Sequence, residues 1–207
     1  MNNQTLFNKY FDGSHWENHP TIYAEEFLTF LKKQEFIRPS IKFTPDFFTH
    51  NLLIVDLGCG NGRDVNYFNE SGIHAIGYDS NEEILEVTRL SSKWPGAFYP
   101  CDIHQLPSQD EMEWAYYCIN VMAYVDAPKV LSEIHRTLKS GGFAFIHFNL
   151  LIVDQNYEID YHQKKSDVYE LLKDFEIVEE KIFLREDKVP MPHLHHIIQV
   201  IIKKVIK

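Results

Sequence analysis

Residues 52–64 read LLIVDLGCGNGRD and combine an apolar run, a carboxylate and three glycines. The apolar run suits a central strand of a parallel sheet, which is buried on both faces. Asp56 ends that run at the carboxyl edge, where α/β folds bind their ligands. A turn on bare backbone follows at Gly58, Gly60 and Gly62, where a ligand can approach closely. The stretch therefore predicts a strand, a ligand-binding turn and a helix in immediate succession.

The spacing of these glycines argues against two kinds of phosphate site. A dinucleotide-binding turn has the pattern G-x-G-x-x-G, but here the third glycine comes one residue early and Arg63 stands in its place. A phosphate-binding P-loop requires G-x-x-x-x-G-K-[ST], and neither Lys-Ser nor Lys-Thr follows these glycines. What remains is D-x-G-x-G-x-G, which favours a ligand other than a diphosphate.

Apolar runs alternate with helical patterns along most of the chain. Strands are predicted near 52–56, 74–79, 97–101, 115–119 and 143–148, and helices near 62–71, 81–90, 127–138 and 166–174. Two β-rich runs, 175–187 and 193–204, predict a hairpin. The order predicts an α/β fold with a seven-stranded, mostly parallel, doubly wound sheet, helices on both faces and a C-terminal antiparallel hairpin.

An aromatic and acidic segment precedes this pattern and predicts an N-terminal helical extension. Residues 21–36 have a helical pattern in which one face can be shared by four apolar side chains, namely Ile22, Phe27, Phe30 and Leu31. The extension packs on the core, or the aromatic residues before the helix form a lid over a pocket. The candidate lid residues are Tyr10, Phe11, His15 and Trp16.

Composition narrows the function classes. The 207 residues include 44% hydrophobic and 24% charged side chains, which is typical of one globular domain. The net charge of −10 opposes a phosphate backbone, so a nucleic-acid partner is disfavoured. Neither a secretory signal nor an apolar run of about 18 residues is seen, which predicts a cytoplasmic protein without a membrane partner. Cys59, Cys101 and Cys118 lack C-x-x-C spacing and are expected to be reduced thiols.

Four ordered motifs resemble those of the class I (Rossmann-like) S-adenosylmethionine-dependent methyltransferases, over roughly residues 50–150. The first is VDLGCGNGRD, residues 55–64. The second, AIGYDSN at 75–81, ends a strand at Asp79, and the third is YPCDIHQLP at 99–107. The fourth, 114–148, resembles the family's fourth strand, next helix and fifth strand, with HRTLKSGG in the place of the usual R-x-L-K-x-G-G turn.

The resemblance implies that these motifs bind S-adenosyl-L-methionine. Asp79 would accept hydrogen bonds from both ribose hydroxyls, Asp102 would accept from the adenine amino group, and Asp56 would lie near the ammonium group. The implied cofactor contacts are Asp56, Gly58, Cys59, Gly60, Asn61, Gly62, Asp79, Ser80, Asp102, Ile103, Ile119 and Asn120. Each acid could instead cap a helix or hold a turn, and Arg63 could be a solvated helix residue.

The family resemblance also implies an organisation and a reaction. The chain, 1–207, is expected to be one methyltransferase domain, with a cap or lid over 1–49, a cofactor-binding half over 50–150, and a substrate-side insertion and hairpin over 151–207. The predicted reaction is in-line methyl transfer from the sulfonium to a nucleophile of a small-molecule substrate, by a monomer or homodimer. The alternatives are a protein or tRNA methyltransferase, or a non-catalytic cofactor-binding subunit.

The catalytic residue cannot be identified from the motifs. His147 could abstract a proton, although a histidine within a strand is more often a packing residue. Tyr124 lies in the stretch MAYV, where many relatives carry a pair of histidines. Three further side chains could line the substrate mouth or belong to a plain surface loop, namely Tyr157, Tyr161 and His162.

A histidine-rich stretch, PHLHH at residues 192–196, raises the question of a metal. His193 and His195 would share one strand face, with His196 on the other. Two imidazoles alone do not close a metal site, and no nearby cysteine or acidic triplet completes the set. No metal is predicted.

Overall fold

The computed structural model describes residues 19–34, 53–154, 156, 158–187 and 192–205. Its helices are α1 (Ile22–Lys33), α2 (Arg63–Glu70), α3 (Glu82–Ser91), α4 (Ala127–Thr137) and α5 (Lys165–Leu171). Its strands are β1 (Leu53–Leu57), β2 (His74–Asp79), β3 (Phe98–Pro100), β4 (Glu113–Cys118), β5 (Leu138–Val153), β6 (Ile159–Tyr161), β7 (Phe175–Asp187) and β8 (His193–Lys204). None of these helices is both long enough and apolar enough to span a bilayer.

These strands form one mixed sheet in the order β3-β2-β1-β4-β5-β8-β7, and β6 pairs with β5 outside that order. The pairs from β3 to β5 are parallel, whereas β8 runs antiparallel between β5 and β7. The predicted mostly parallel sheet with a C-terminal hairpin is confirmed. Because β1 has β2 on one side and β4 on the other, the strand order reverses there, and a crevice opens at the carboxyl ends of β1 and β4.

Both faces of the sheet are covered by helices. The first face, which we call the α1 face, packs side chains of α1, α2 and α3 against residues such as Ile54, Tyr117 and Phe145. The opposite face packs α4 and α5 against residues that include Val55 and Tyr116. Alternating side chains of β1 and β4 thus enter different cores, as expected for strands buried on both faces.

The fifth strand is much longer than the predicted 143–148. It continues to Val153 because β8 pairs with it along its length, from Phe143 opposite Lys203 to Val153 opposite Leu194. The short strand β6 then folds back on the end of β5. The insertion after residue 150 is therefore partly a β-ribbon, and it adds an eighth strand to the seven predicted.

The N-terminal helix packs against the sheet. Three of the four predicted face residues, Phe27, Phe30 and Leu31, are buried, but Ile22 is 63% exposed and its prediction was wrong. Ala24 and Leu28 complete the buried face. The Phe27 ring lies 5.4 Å from the ring of Phe145, between centroids. The candidate lid residues Tyr10, Phe11, His15 and Trp16 lie outside the described residues.

Candidate functional site

The glycine loop after β1 is held against the end of β2. The backbone N–H groups of Gly58 and Cys59 both donate to the carbonyl of Tyr78, at 2.8 and 3.0 Å. Gly58, Gly60 and Gly62 have φ values of +77°, +51° and +69°, which side-chain-bearing residues rarely adopt. The loop therefore turns sharply at the carboxyl edge before α2 begins at Arg63.

Packing also requires two of these glycines. A Cβ on Gly58 would lie 2.3 Å from Cγ2 of Val121, and one on Gly62 would lie 2.4 Å from the ring of Phe98. The loop is therefore wedged between the segment after β4 and the start of β3. This bare backbone at the crevice fits a ligand that needs close approach, as expected for the implied cofactor.

Asp79, at the end of β2, organises the loop from the other side. Its Oδ2 accepts from the Gly60 N–H at 3.0 Å, and its Oδ1 accepts from the Asn81 N–H at 2.9 Å. Asn81 in turn caps α3 by accepting from the N–H of Ile84. Each carboxylate oxygen has two lone pairs, so Asp79 can hold the turn and still accept from a ligand hydroxyl. Its neighbour Ser80 is exposed.

After β3, Asp102 is exposed and accepts from both the backbone N–H and the Nδ1 of His104, at 3.0 and 2.6 Å. These interactions with His104 lower the pKa of the Asp102 carboxyl. His104 Nε2 accepts from the Asp126 N–H at 3.0 Å, so Nδ1 carries the proton. The adjacent Ile103 is buried. His104, which had not been identified from sequence, ties the loop after β3 to the start of α4.

The segment after β4 forms the remaining wall of the crevice. Ile119 is partly buried. Asn120 has a φ of +59°, a left-handed conformation that asparagine tolerates better than most residues. Its Oδ1 accepts from Nη1 of Arg185 at 2.9 Å. The structure thus places the predicted cofactor residues along the carboxyl ends of four adjacent strands, β3, β2, β1 and β4.

Two buried carboxylates lie under the glycine loop. Burial raises the pKa of Asp56 well above its usual range, and the neighbouring Asp64 and Asp79 raise it further. Burial also raises the pKa of Asp64, although hydrogen bonds from the Thr21 N–H at 2.7 Å and from the Tyr117 hydroxyl oppose the shift. A ligand ammonium near Asp56 would offset this concentration of negative charge.

This arrangement predicts how stability depends on pH. An acid whose pKa is raised by folding stabilises the folded state least above its folded pKa, so the contribution of Asp56 to stability should be lost as pH rises from about 4. Asp56→Asn is expected to reduce this loss. Its thermal unfolding midpoint should exceed that of the wild type by more at pH 7 than at pH 4. Thermal unfolding of both proteins across this range provides the measurement. A pH dependence equal to that of the wild type would contradict the assignment.

The two candidate catalytic side chains lie apart. His147 is 1% exposed, and its Nε2 donates to Oε1 of Gln199 at 3.0 Å. The rings of Tyr23 and Phe183 enclose it, with centroids 4.4 and 6.0 Å away. Burial lowers the pKa of His147 to about 3, so the imidazole is neutral at neutral pH. The arrangement is that of a packing residue.

Tyr124 lies in the loop between β4 and α4 and is 64% exposed. Its ring centroid lies 6.3 Å from that of His162. The backbone of His162 is held by the carbonyl of Leu150, at the end of β5. Tyr157 and the side chain of Tyr161 lie outside what the structure describes.

A polar cluster lies on the α1 face, next to the end of β4. Arg185 donates from Nη1 to Asn120 and from Nη2 to Oδ2 of Asp187, the latter at 2.8 Å. His195 is directly opposite Arg185 in the β7–β8 pair. Burial would raise the pKa of Asp187, but His195 and the Arg185 guanidinium hold it at about 2.

Strand register also brings Asp187 opposite His193. Neither a cysteine nor an acidic triplet was expected to complete the histidine set, but strand pairing brings one acid, Asp187, beside His193 and His195. His196 pairs with Leu184 and points to the other face, as predicted. The acid is separated from the histidines by a hairpin connection, so its proximity depends on how the two strands pair.

Several buried polar atoms in this region have no hydrogen-bond partner among the described residues. They are Nδ1 of His147, Oδ1 of Asn149, Nε of Arg185 and both ring nitrogens of His195. Asn149 pairs with Ile197 on β8 and lies on the same sheet face as His195. Unpaired buried polar groups cost about 1–3 kcal/mol each, so each of these atoms calls for a partner such as water or a polar ligand.

Comparisons with known proteins agree with this geometry. Residues 55–146 match the family model described as "Methyltransferase domain". No curated protein matches this chain in sequence. One similar structure is an S-adenosylmethionine-dependent methyltransferase from Methanosarcina mazei, at 18% identity and a TM-score of 0.64, covering 81% of this chain and 100% of that one.

Two further structures share the fold. An S-adenosylmethionine-dependent methyltransferase from Mesorhizobium loti has 18% identity and a TM-score of 0.60, over 78% of this chain and 94% of its own. A protein described with the conversion of a disulfide bond into a thioacetal group during echinomycin biosynthesis has 14% identity and a TM-score of 0.67. It covers 99% of this chain and 94% of its own. At these identities the structures establish the fold.

Proposed function

We propose that the chain is a class I S-adenosylmethionine-dependent methyltransferase and that its methyl acceptor is a small polar molecule. The acceptor would bind on the α1 face beside the end of β4. The observation that carries this proposal is the pair of buried polar atoms without partners among the described residues, Oδ1 of Asn149 and Nε of Arg185. Such groups can be satisfied by a small polar ligand that binds beside them.

The proposed cofactor is S-adenosylmethionine, which when bound would supply a methyl group whose bond to the sulfonium breaks as the acceptor's lone pair forms the new bond. The glycine loop would cradle it, Asp79 would accept from the ribose hydroxyls, and Asp102 with Ile103 would meet the adenine. Asp56 would lie near its ammonium group. The remaining contacts would come from Cys59, Asn61, Ser80, Ile119 and Asn120.

The chain's own contribution to the reaction would be binding and orientation. Arg185 is positioned by Asn120 and Asp187, and its unpaired Nε favours an acceptor that carries an anionic or hydrogen-bond-accepting group. His147 is neutral but enclosed by aromatic rings, so a general base is not evident among the described residues. An acceptor that ionises readily, such as a thiol, needs no such base.

Two observations bear on the acceptor class. The echinomycin protein is described with chemistry on a disulfide, which makes small sulfur compounds the first class to test. The net charge of −10 disfavours tRNA. A protein acceptor, a non-catalytic cofactor-binding subunit, and a monomer or homodimer are the other outcomes that experiments must separate.

A radiolabelled methyl-transfer screen tests the proposal. Purified protein and labelled S-adenosylmethionine are incubated with small thiols, carboxylic acids, amines and metalloid anions, and in separate arms with tRNA and with protein extract. We expect label in a small molecule. Label only in tRNA or protein would overturn the acceptor class, and cofactor binding without transfer in any arm would favour the non-catalytic subunit.

A matched pair of variants then tests the location of the acceptor. Arg185→Gln is expected to raise the acceptor's KM by about 10- to 150-fold, since hydrogen bonds to charged groups contribute about 1.5–3 kcal/mol. Cofactor affinity should change little. Lys181→Gln is the control, because it removes a positive charge from the same face of β7, where Lys181 instead pairs with Glu26. Equal KM values in the two variants would argue against the proposed pocket.

A further inference from the structure

Three side chains of the kind that bind metals converge where β7 ends and β8 begins. One ligand atom each of Asp187, His193 and His195 lies within 4.8 Å of the other two. Nε2 of His195 is 3.1 Å from Oδ2 of Asp187, and Nε2 of His193 is 3.8 Å from the same oxygen. The antiparallel register of β7 and β8 fixes these positions, because it places Asp187 opposite His193.

These separations match the edges of a zinc coordination shell. Zinc binds imidazole nitrogen and carboxylate oxygen at about 2.0–2.2 Å in tetrahedral geometry, so neighbouring ligand atoms lie about 3.3–3.6 Å apart. The two distances to Oδ2 bracket this range. All three ligand atoms lie within 4.8 Å of one another, so side-chain rotation would have to bring them to these distances around one ion.

The state of His195 points to a ligand as well. It is 5% exposed, yet neither ring nitrogen has a hydrogen-bond partner among the described residues. Nε2 is close to Asp187 without the alignment of a hydrogen bond. A buried imidazole nitrogen beside a carboxylate oxygen can accept a metal ion as a shared partner.

Arg185 would support such a site from outside. Its Nη2 donates to Asp187 at 2.8 Å, and metal-binding carboxylates are commonly held by a second hydrogen bond of this kind. A carboxylate has about four lone-pair positions on its two oxygens, so Asp187 can bind the guanidinium and an ion together. Through its other nitrogen Arg185 reaches Asn120, at the end of β4.

We propose that Asp187, His193 and His195 form a binding site for a divalent transition metal ion of the zinc type. Two imidazoles and one carboxylate are borderline ligands, which favour such ions over magnesium or calcium. Three protein ligands leave at least one position open to water or to another small ligand. The ion would lie one side chain away from Asn120, next to the acceptor pocket of the proposed function, but its binding does not depend on that function.

Metal binding to the full-length protein tests the site directly. After treatment with a chelator and its removal, Zn²⁺ is titrated by calorimetry and Co²⁺ by visible absorption, without cofactor or acceptor. We expect one ion per chain, and Co²⁺ bands typical of low coordination number. Because neither reagent involves methyl transfer, failure here and failure of the proposed function are separate results.

Single variants identify the ligands. Loss of an outer-shell partner alone weakens metal binding by about 10- to 100-fold, so His195→Gln, His193→Gln and Asp187→Asn should each weaken Zn²⁺ binding at least about tenfold. His196→Gln is the matched control, since His196 is on the same strand but on the opposite face. It should bind Zn²⁺ as the wild type does.

Two results would overturn the site. One is the absence of a one-per-chain Zn²⁺ or Co²⁺ complex in the wild-type protein. The other is wild-type affinity in the double variant His193→Gln/His195→Gln, which would place the ion elsewhere among the chain's 11 histidines. Far-UV circular dichroism of each variant checks its fold, and the wild-type Co²⁺ spectrum decides the question even if a variant does not fold.

Discussion

Replacing Gly60 by valine is expected to abolish S-adenosylmethionine binding while the protein stays folded. Gly60 has a φ of +51°, its N–H donates to Asp79, and its carbonyl accepts from Oγ1 of Thr88 at 3.0 Å. A β-branched residue is a genuine outlier at positive φ, and such strain costs about 1–3 kcal/mol. The loop would lose its shape where the backbone must approach the ligand. A fall in affinity of at least about 100-fold follows if the strain and the lost contacts total about 3 kcal/mol.

Gly72→Val separates this effect from backbone strain in general. Gly72 has a φ of +80°, and a Cβ there would meet nothing within 4 Å. It lies between α2 and β2, away from the carboxyl edge, so the variant should lose stability but bind the cofactor normally. Calorimetric titration with S-adenosylmethionine and its demethylated product, together with thermal unfolding, measures both properties. Wild-type affinity in Gly60→Val would mean that the glycine loop is not the binding site.

Asp79→Ala is expected to weaken cofactor binding by about 1–3 kcal/mol, or about 5- to 150-fold in Kd, because hydroxyl donors of the ligand would be left unpaired. Part of the loss would be indirect. The carboxylate also fixes the N–H groups of Gly60 and Asn81, so its removal loosens the loop and the start of α3.

Asp79→Asn divides these contributions. The amide retains one acceptor oxygen, which can serve the loop or the ligand but not both fully, so an intermediate Kd is expected. Thermal unfolding of both variants shows whether the loop contribution also affects stability. A Kd for Asp79→Ala within twofold of the wild-type value would remove Asp79 from the cofactor site.

The elements of the fold whose signals lie close together in the sequence could be predicted. The strand His74–Asp79 and the two hairpin strands, Phe175–Asp187 and His193–Lys204, have the predicted bounds. Their apolar patterns and flanking turn residues lie within a few positions of each other. The length of β5 could not be predicted in this way, because its extent depends on pairing with a strand that begins about 40 residues later. Ile22 was misplaced because the helix directs Ala24, Phe27, Leu28 and Leu31 toward the sheet.

The same distinction between local and long-range information applies to the candidate site. The glycine loop and the acids at strand ends could be predicted because each motif is continuous in sequence. The contact between Arg185 and Asn120 joins residues 65 positions apart. Asp187 and His195 are adjacent only because of the register of the hairpin. Hydrophobic alternation alone does not determine that register when the connecting turn is unknown. The residues of the proposed acceptor side are therefore harder to predict from sequence than those of the proposed cofactor side.

The contacts at Thr21 decide where a shortened version of this protein could begin. The hydroxyl of Thr21 lies 2.8 Å from that of Tyr117 and donates to Asp64 at 3.0 Å. Trimming the chain to the start of β1 would remove the Thr21 partner of the buried Asp64 carboxylate and the Tyr117 hydroxyl. It would also expose the aromatic side chains of the sheet that α1 covers. A fragment limited to the sequence motifs should therefore aggregate, and limited proteolysis of the intact protein should spare the bond between Thr21 and Ile22.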